Sequence, residues 1–214
     1  MLRHYSGIMF SKQRLEALSD CIFSIAMTLL VLDLKVPTDV PTGQLGHALL
    51  QQSSTWISFV ITFILAARYW TLQHRLLNLI ENIQARTVTT SFIFLFLITL
   101  LPFSTSLWGH HLTVRLAFFL YILNQVLIGI VVLIEVHLAR RENNIRRGEA
   151  LWMLTGRLYV MVGSLFVALI AAWFLSPQYV GMISALSAFG ARRLRGFFHK
   201  RYLKRHPQQN SEPA

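Results

Sequence analysis

Between Thr87 and Gly109 the chain reads TVTTSFIFLFLITLLPFSTSLWG, 23 residues without a charge. About 20 mostly apolar residues suffice for a helix to cross the roughly 30 Å of hydrocarbon in a bilayer, so this stretch predicts a membrane span. It has company. Ala48 to Ala67 gives 20 uncharged residues and Leu116 to Ile134 gives 19. Leu158 to Ala191 is an uncharged run of 34, too long for one span, and Ser176-Pro177 divides it. Proline removes a helix donor and clashes with the preceding turn, so two helices with a tight connection are expected there. That makes five spans from residue 48 onward.

The composition agrees. Of 214 residues, 54% are hydrophobic and 14% charged, against about 25% charged in an ordinary soluble domain. Mean hydropathy is +0.51. These values exclude disordered, collagen-like and disulfide-scaffold classes and argue against a soluble globule. The length fits one or two domains. Cys21 is the single cysteine and has no intramolecular partner for a disulfide.

Before residue 48 the reading is less direct. Cys21 to Leu32 is only 12 uncharged residues, so a first span must run from about Arg14 to Val36 and take Glu16 and Asp20 with it. Pro37 ends it. Arg3, Lys12 and Arg14 ahead of an apolar run imitate a signal peptide. The two acids and the lack of a small-residue cleavage site around Val36-Pro37-Thr38 predict that the segment is retained.

The expected fold is therefore all-α, with six transmembrane helices. Residues 14–198 form the membrane domain, 1–13 a cytoplasmic N-terminus and 199–214 a basic, then disordered, cytoplasmic tail. With both termini on one side, 18 Lys and Arg fall on that side and only Lys35 and Arg115 on the other. Such a bias marks the basic side as cytoplasmic. The net charge of +11 is thereby explained by topology, and no nucleic-acid partner is expected. The tail from Ala191 to Arg205 interleaves Leu194, Phe197, Phe198, Tyr202 and Leu203 with its charges, as an interfacial helix on anionic lipid would.

No enzyme constellation is present: no H-E-x-x-H, Walker loop, G-x-S-x-G or paired-cysteine site. No catalytic residue, metal site or cofactor is expected. His110-His111 are adjacent, which suits an outer turn better than metal ligation. Glu135 and His137 lie near the cytoplasmic end of the fourth span, where snorkelling to the interface is the ordinary reading and a proton role the alternative. There is no T-V-G-Y-G filter, no arginine ladder and no three-plus-three repeat.

Asp20 is the acid carried into a span, which costs a few kcal/mol and marks a functional site by default. It forms a polar staple with Arg14 and Ser19, meets permeating ions directly, or does both. Further along, Ile25, Leu29 and Leu32 make one helical stripe, flanked by Ser24 and Thr28. Such a stripe ordinarily packs on a neighbour or faces lipid.

The run Arg14-Leu-Glu-Ala-Leu18-Ser19-Asp20, then Ile25 and Leu29-Leu30-Val31-Leu32-Asp-Leu-Lys-Val-Pro37, resembles the R-x-x-x-F-S-D first helix of the TMEM175 family. The bacterial members of this family are relatives of the lysosomal potassium channel. Leu101-Pro102-Phe103-Ser104-Thr105-Ser106-Leu107 is similar to the family's L-P-F-[ST]-x-S segment. Trp70 followed by Arg75-Leu76-Leu77 is a third, weaker match. Order and spacing agree over about residues 12 to 200. The departures are Leu18 where the family has phenylalanine, Cys21 where a small residue is usual, and Gln73 where a histidine commonly follows the tryptophan, with His74 next door.

The resemblance implies a potassium-selective channel in the plasma (bacterial inner) membrane, a homotetramer in the lipid bilayer with the first helices lining a central pore. It implies a hydrophobic constriction at Ile25, further layers at Leu29 and Leu32, and selectivity hydroxyls at Ser24 and Thr28. A motif network of Arg14, Ser19, Asp20, Gln73 and His74 would support them. Permeating potassium is the one ligand implied. Two other classes stay open: a proton-coupled transporter using Asp20, Glu135 and His137, and a non-conducting scaffold.

Overall fold

The computed structural model describes residues 11–38, 40–141 and 149–174. The regular elements among them are helical: α1 Lys12–Val31, α2 Leu45–Gln51, α3 Ser53–Leu79, α4 Ala85–Thr99, α5 Leu101–His110, α6 Arg115–Arg141 and α7 Glu149–Phe174, with a 3-10 turn at Thr42–Gln44. Four segments are long and apolar enough to cross a membrane: Ser53–Leu79, Ala85–His110, Arg115–Arg141 and Leu154–Ala171. α1 has 20 residues, about 30 Å of helix, but Lys12, Arg14, Glu16 and Asp20 set it apart from those four. The expected sixth span, the basic tail and Arg3, Arg146 and Arg147 lie outside the described residues.

The boundaries differ from the expected ones for identifiable reasons. α1 stops at Val31, five residues short of Val36. Leu32 and Leu34 close a turn with N–H bonds to Leu29 O and Val31 O, and Asp33 is drawn off by α5. Pro37 also disfavours helical backbone at the residue before it. The charge-free run from Ala48 is divided: α2 ends at Gln51, and α3 continues to Leu79, beyond Arg68 and Arg75. α7 begins at Glu149, ahead of the expected Leu158.

The stretch Thr87 to Gly109 is two helices in line, interrupted at Leu100. Pro102 is the cause, since it has no N–H for the carbonyl a turn earlier. Asn124 of α6 fills in at the break. Its Nδ2 donates to Leu97 O at 3.3 Å and to Ser104 Oγ at 3.4 Å. Irregular backbone at membrane depth is tolerated where a neighbouring helix supplies such bonds.

Lipid tails are as apolar as leucine, so membrane helices are held together by close packing and interhelical hydrogen bonds. Both are present. α1 packs on α3, α4 and α5, and α6 packs on α4, α5 and α7. Phe23 of α1 meets Phe94 of α4 with ring centroids 5.9 Å apart. Trp108 of α5 stacks on Tyr121 of α6 at 4.6 Å. Gly109 lets α5 approach α3, because a Cβ there would fall on Ser58 Oγ.

The buried face of α3 is mostly polar: Thr55, Ser58, Thr62, Tyr69 and Gln73, with Ala66 among them. Thr105 Oγ1 donates to Thr62 Oγ1 at 3.0 Å, Thr62 Oγ1 lies 3.1 Å from Tyr121 OH, and Tyr69 OH donates to Gln125 Oε1 at 2.8 Å. These bonds fasten α3 to α5 and α6, leaving α1 on the outside of the bundle.

Candidate functional site

α1 presents two faces. Leu15, Ser19, Phe23, Ala26 and Leu30 are buried against the bundle. Cys21, Ser24, Ile25, Thr28, Leu29 and Leu32 are uncovered, with Ile25 59% and Leu32 70% exposed. The expected stripe therefore exists, and among the described residues it does not pack on another helix.

Thr28 is fixed within its own helix. Its hydroxyl sits 3.0 Å from Ser24 O and 2.8 Å from Ile25 O, to which it donates. With the proton turned inward, the oxygen lone pairs remain directed away from the backbone, available to an ion or to water. Ser24 is exposed beside it.

At the Asp20 end, Trp70 Nε1 of α3 donates to Asp20 Oδ1 at 2.7 Å. His74, one turn on, stacks on the Trp70 ring at 5.9 Å. The expected network is thus divided. Asp20 meets Trp70 with His74 behind it, Ser19 is buried on the opposite side of α1, and Arg14 is exposed. Gln73 points the other way, into the bundle, where its Nε2 lies 3.5 and 3.4 Å from the Glu135 carboxyl oxygens.

Glu135 corrects the expectation of snorkelling. It is 2% exposed and accepts from Ser91 Oγ of α4 at 2.9 Å. α6 continues to Arg141, so Glu135 lies well inside the helix end. His137 is exposed on another face, and a relay joining Asp20, Glu135 and His137 is not assembled.

The other end of α1 is also tied. Ser106 Oγ of α5 donates to Asp33 Oδ1 at 2.8 Å, and His110 Nδ1 lies 3.6 Å from Asp33 Oδ2. The sequence carried signals for these partners that were not read. On α3, Thr55, Ser58, Thr62, Tyr69 and Gln73 recur at helical spacing, and a polar stripe on a membrane helix must face protein. Ser106 and His110 share a face by the same rule. No group of three or more His, Cys, Asp or Glu suited to a metal ion occurs among the described residues.

Comparison with known proteins bears on what this arrangement serves. The family model of the endosomal/lysosomal potassium channel TMEM175 matches residues 14–102, from the first turn of α1 to the first turn of α5. A potassium channel of Chamaesiphon minutus is 35% identical over 101 residues, covering 46% of this chain and 50% of that protein. One of Streptomyces collinus is 30% identical over 99 residues, covering 46% and 48%. The chain thus spans about half the length of the curated relatives it matches. The crystal structure of a lysosomal potassium-selective channel TMEM175 homolog from Chamaesiphon minutus superposes with a TM-score of 0.73 at 27% identity, covering 86% of this chain and 98% of that one. Over residues 14–102 the chain is similar to the TMEM175 family, and its apolar helices, those of a multi-pass membrane protein, follow the fold of that solved homolog.

Proposed function

We propose that this chain is one subunit of a potassium-selective cation channel whose pore is lined by α1. The observation that carries the reading is the uncovered face of that helix. A face turned to lipid needs no hydroxyls, yet Ser24 and Thr28 alternate with Ile25, Leu29 and Leu32 along it. One copy cannot enclose a path for ions. Copies arranged about an axis, four by analogy with the family, bring the stripes together. Ile25 then forms a narrow, dry ring that gates by dewetting, with Leu29 and Leu32 as further layers. Ser24 and Thr28 oxygens or ordered water supply coordination that an isoleucine ring cannot. Potassium is the permeant ligand, the membrane is the plasma membrane and the termini are cytoplasmic, in keeping with the charge bias.

The test is potassium flux from proteoliposomes against sodium. Flux favouring potassium is expected. No flux from a well-formed oligomer would overturn the reading in favour of a scaffold, and saturable flux driven by a proton gradient would favour a transporter.

Cys21 supplies a native probe of the same face. A thiol reacts as its thiolate, which requires water. A water-soluble cationic thiol reagent is expected to label Cys21 and to reduce potassium flux severalfold, and Cys21→Ser to abolish that sensitivity. An unreactive Cys21 in the lipid-embedded protein would mean that the face is turned to lipid.

A further inference from the structure

Glu135 is the one buried acid among the described side chains. It lies on α6, with Val132, Val136 and Ala139 buried around it in sequence, away from the α1 face. A carboxyl placed there can meet the cost of burial with a paired cation or with a bound proton. The hydrogen-bond partners of Glu135, Ser91 and Gln73, are both uncharged. On α3, His74 and Arg75 are exposed and Tyr69 is engaged with Gln125. On α6 itself, His137 and Arg141 are exposed, and Arg140 donates to Thr155 of α7 at 2.6 Å. The ion pair of His110 with Asp33 is at the far end of the bundle.

A second observation points to a proton. Gln73 is 1% exposed and its Oε1 is buried without a hydrogen-bond partner. Only a donor can satisfy that oxygen, and its amide partner across the gap, the Glu135 carboxylate, is purely an acceptor. We propose that Glu135, Gln73 and Ser91 form a proton-binding site inside the subunit's own bundle, separate from the pore. A proton taken from water adds to Glu135 Oε2 and converts the carboxylate to the acid. The Gln73 amide turns over, and the new O–H donates to Gln73 Oε1 while Ser91 goes on donating to Glu135 Oε1. The O–H is the one covalent bond formed, and the two Gln73 Nε2 bonds to the carboxyl are given up as the amide turns. An alkali ion fits poorly, because three residues cannot replace a hydration shell as the carbonyl rings of ion filters do.

Infrared difference spectra of the full chain in lipid, titrated with pH at constant potassium, test this. The wild type is expected to show the carbonyl band of a protonated carboxyl that shifts in D2O. That band should be lost completely in Glu135→Gln and kept in Asp20→Asn and Glu16→Gln. Gln73→Leu should keep the band but move its frequency, since the O–H loses its acceptor. The proposal is overturned by a wild type that shows no such band at any pH where it stays folded, or by a band that survives Glu135→Gln. It is also overturned if the Glu135 carboxylate signal follows potassium at fixed pH. The wild-type titration requires no variant to fold, and none of these readouts depends on conduction.

Discussion

Ile25→Asn is expected to raise cation flux by roughly tenfold or more and to remove most of the preference for potassium over sodium. At the narrowest ring a cation must shed or thin its water shell among branched alkyl groups, which offer nothing in return. Asparagine replaces those groups with amides that wet the ring and coordinate either ion. Removing about 1.4 kcal/mol of barrier is worth a factor of ten in rate, and a wetted ring lowers the barrier by at least that order. Ile25→Leu keeps the ring dry and should conduct as the wild type does. Parallel flux assays in potassium and sodium check both. Unchanged permeation in Ile25→Asn would place the constriction elsewhere on α1.

The second large effect is on assembly of the bundle. At Gly129 on α6 a Cβ would stand 2.6 Å from Val162 Cγ2 of α7. Valine is branched at its own Cβ and cannot swing clear, so α7 must be displaced. Gly129→Ala is expected to cost about 1–3 kcal/mol, the usual range for overpacking, and to lower the thermal midpoint in detergent by several degrees. Gly163 in α7 is the control, with nothing within 4 Å of a Cβ there. Gly163→Ala should gain about 0.5–1 kcal/mol from reduced backbone freedom. Adding Val162→Ala to Gly129→Ala should recover part of the loss. An unaltered midpoint in Gly129→Ala would mean that α6 and α7 approach less closely than described.

Four spans were legible from charge-free runs, because in lipid the backbone must satisfy itself and helices are the way to do so. The identity of α1 was legible from its motif, and the stripe at Ile25, Leu29 and Leu32 from its spacing. Other features depended on partners far apart in sequence. Glu135 looked terminal because the charge-free run ends at Ile134, whereas α6 continues for six residues past Glu135 to Arg141 and buries it against Ser91 and Gln73. Pro102 was visible, but its effect, a break at Leu100 filled by Asn124, required knowing which helix lay alongside. The motif placed Gln73 beside Asp20. A step of about 100° from one residue to the next put His74 on that side and turned Gln73 into the bundle.

Asp20 is held to Trp70 and Asp33 to Ser106, and among the described residues no side chain from Cys21 to Leu32 hydrogen-bonds to another helix. Between these two anchors α1 rests on dispersion contacts alone, each worth a fraction of a kcal/mol. Mechanically it is a rod clamped at both ends, stiff at Asp20 and Asp33 and most compliant midway, where Ile25 and Thr28 lie. Small torsion or bowing there would alter the width of the proposed ring while leaving both clamps closed.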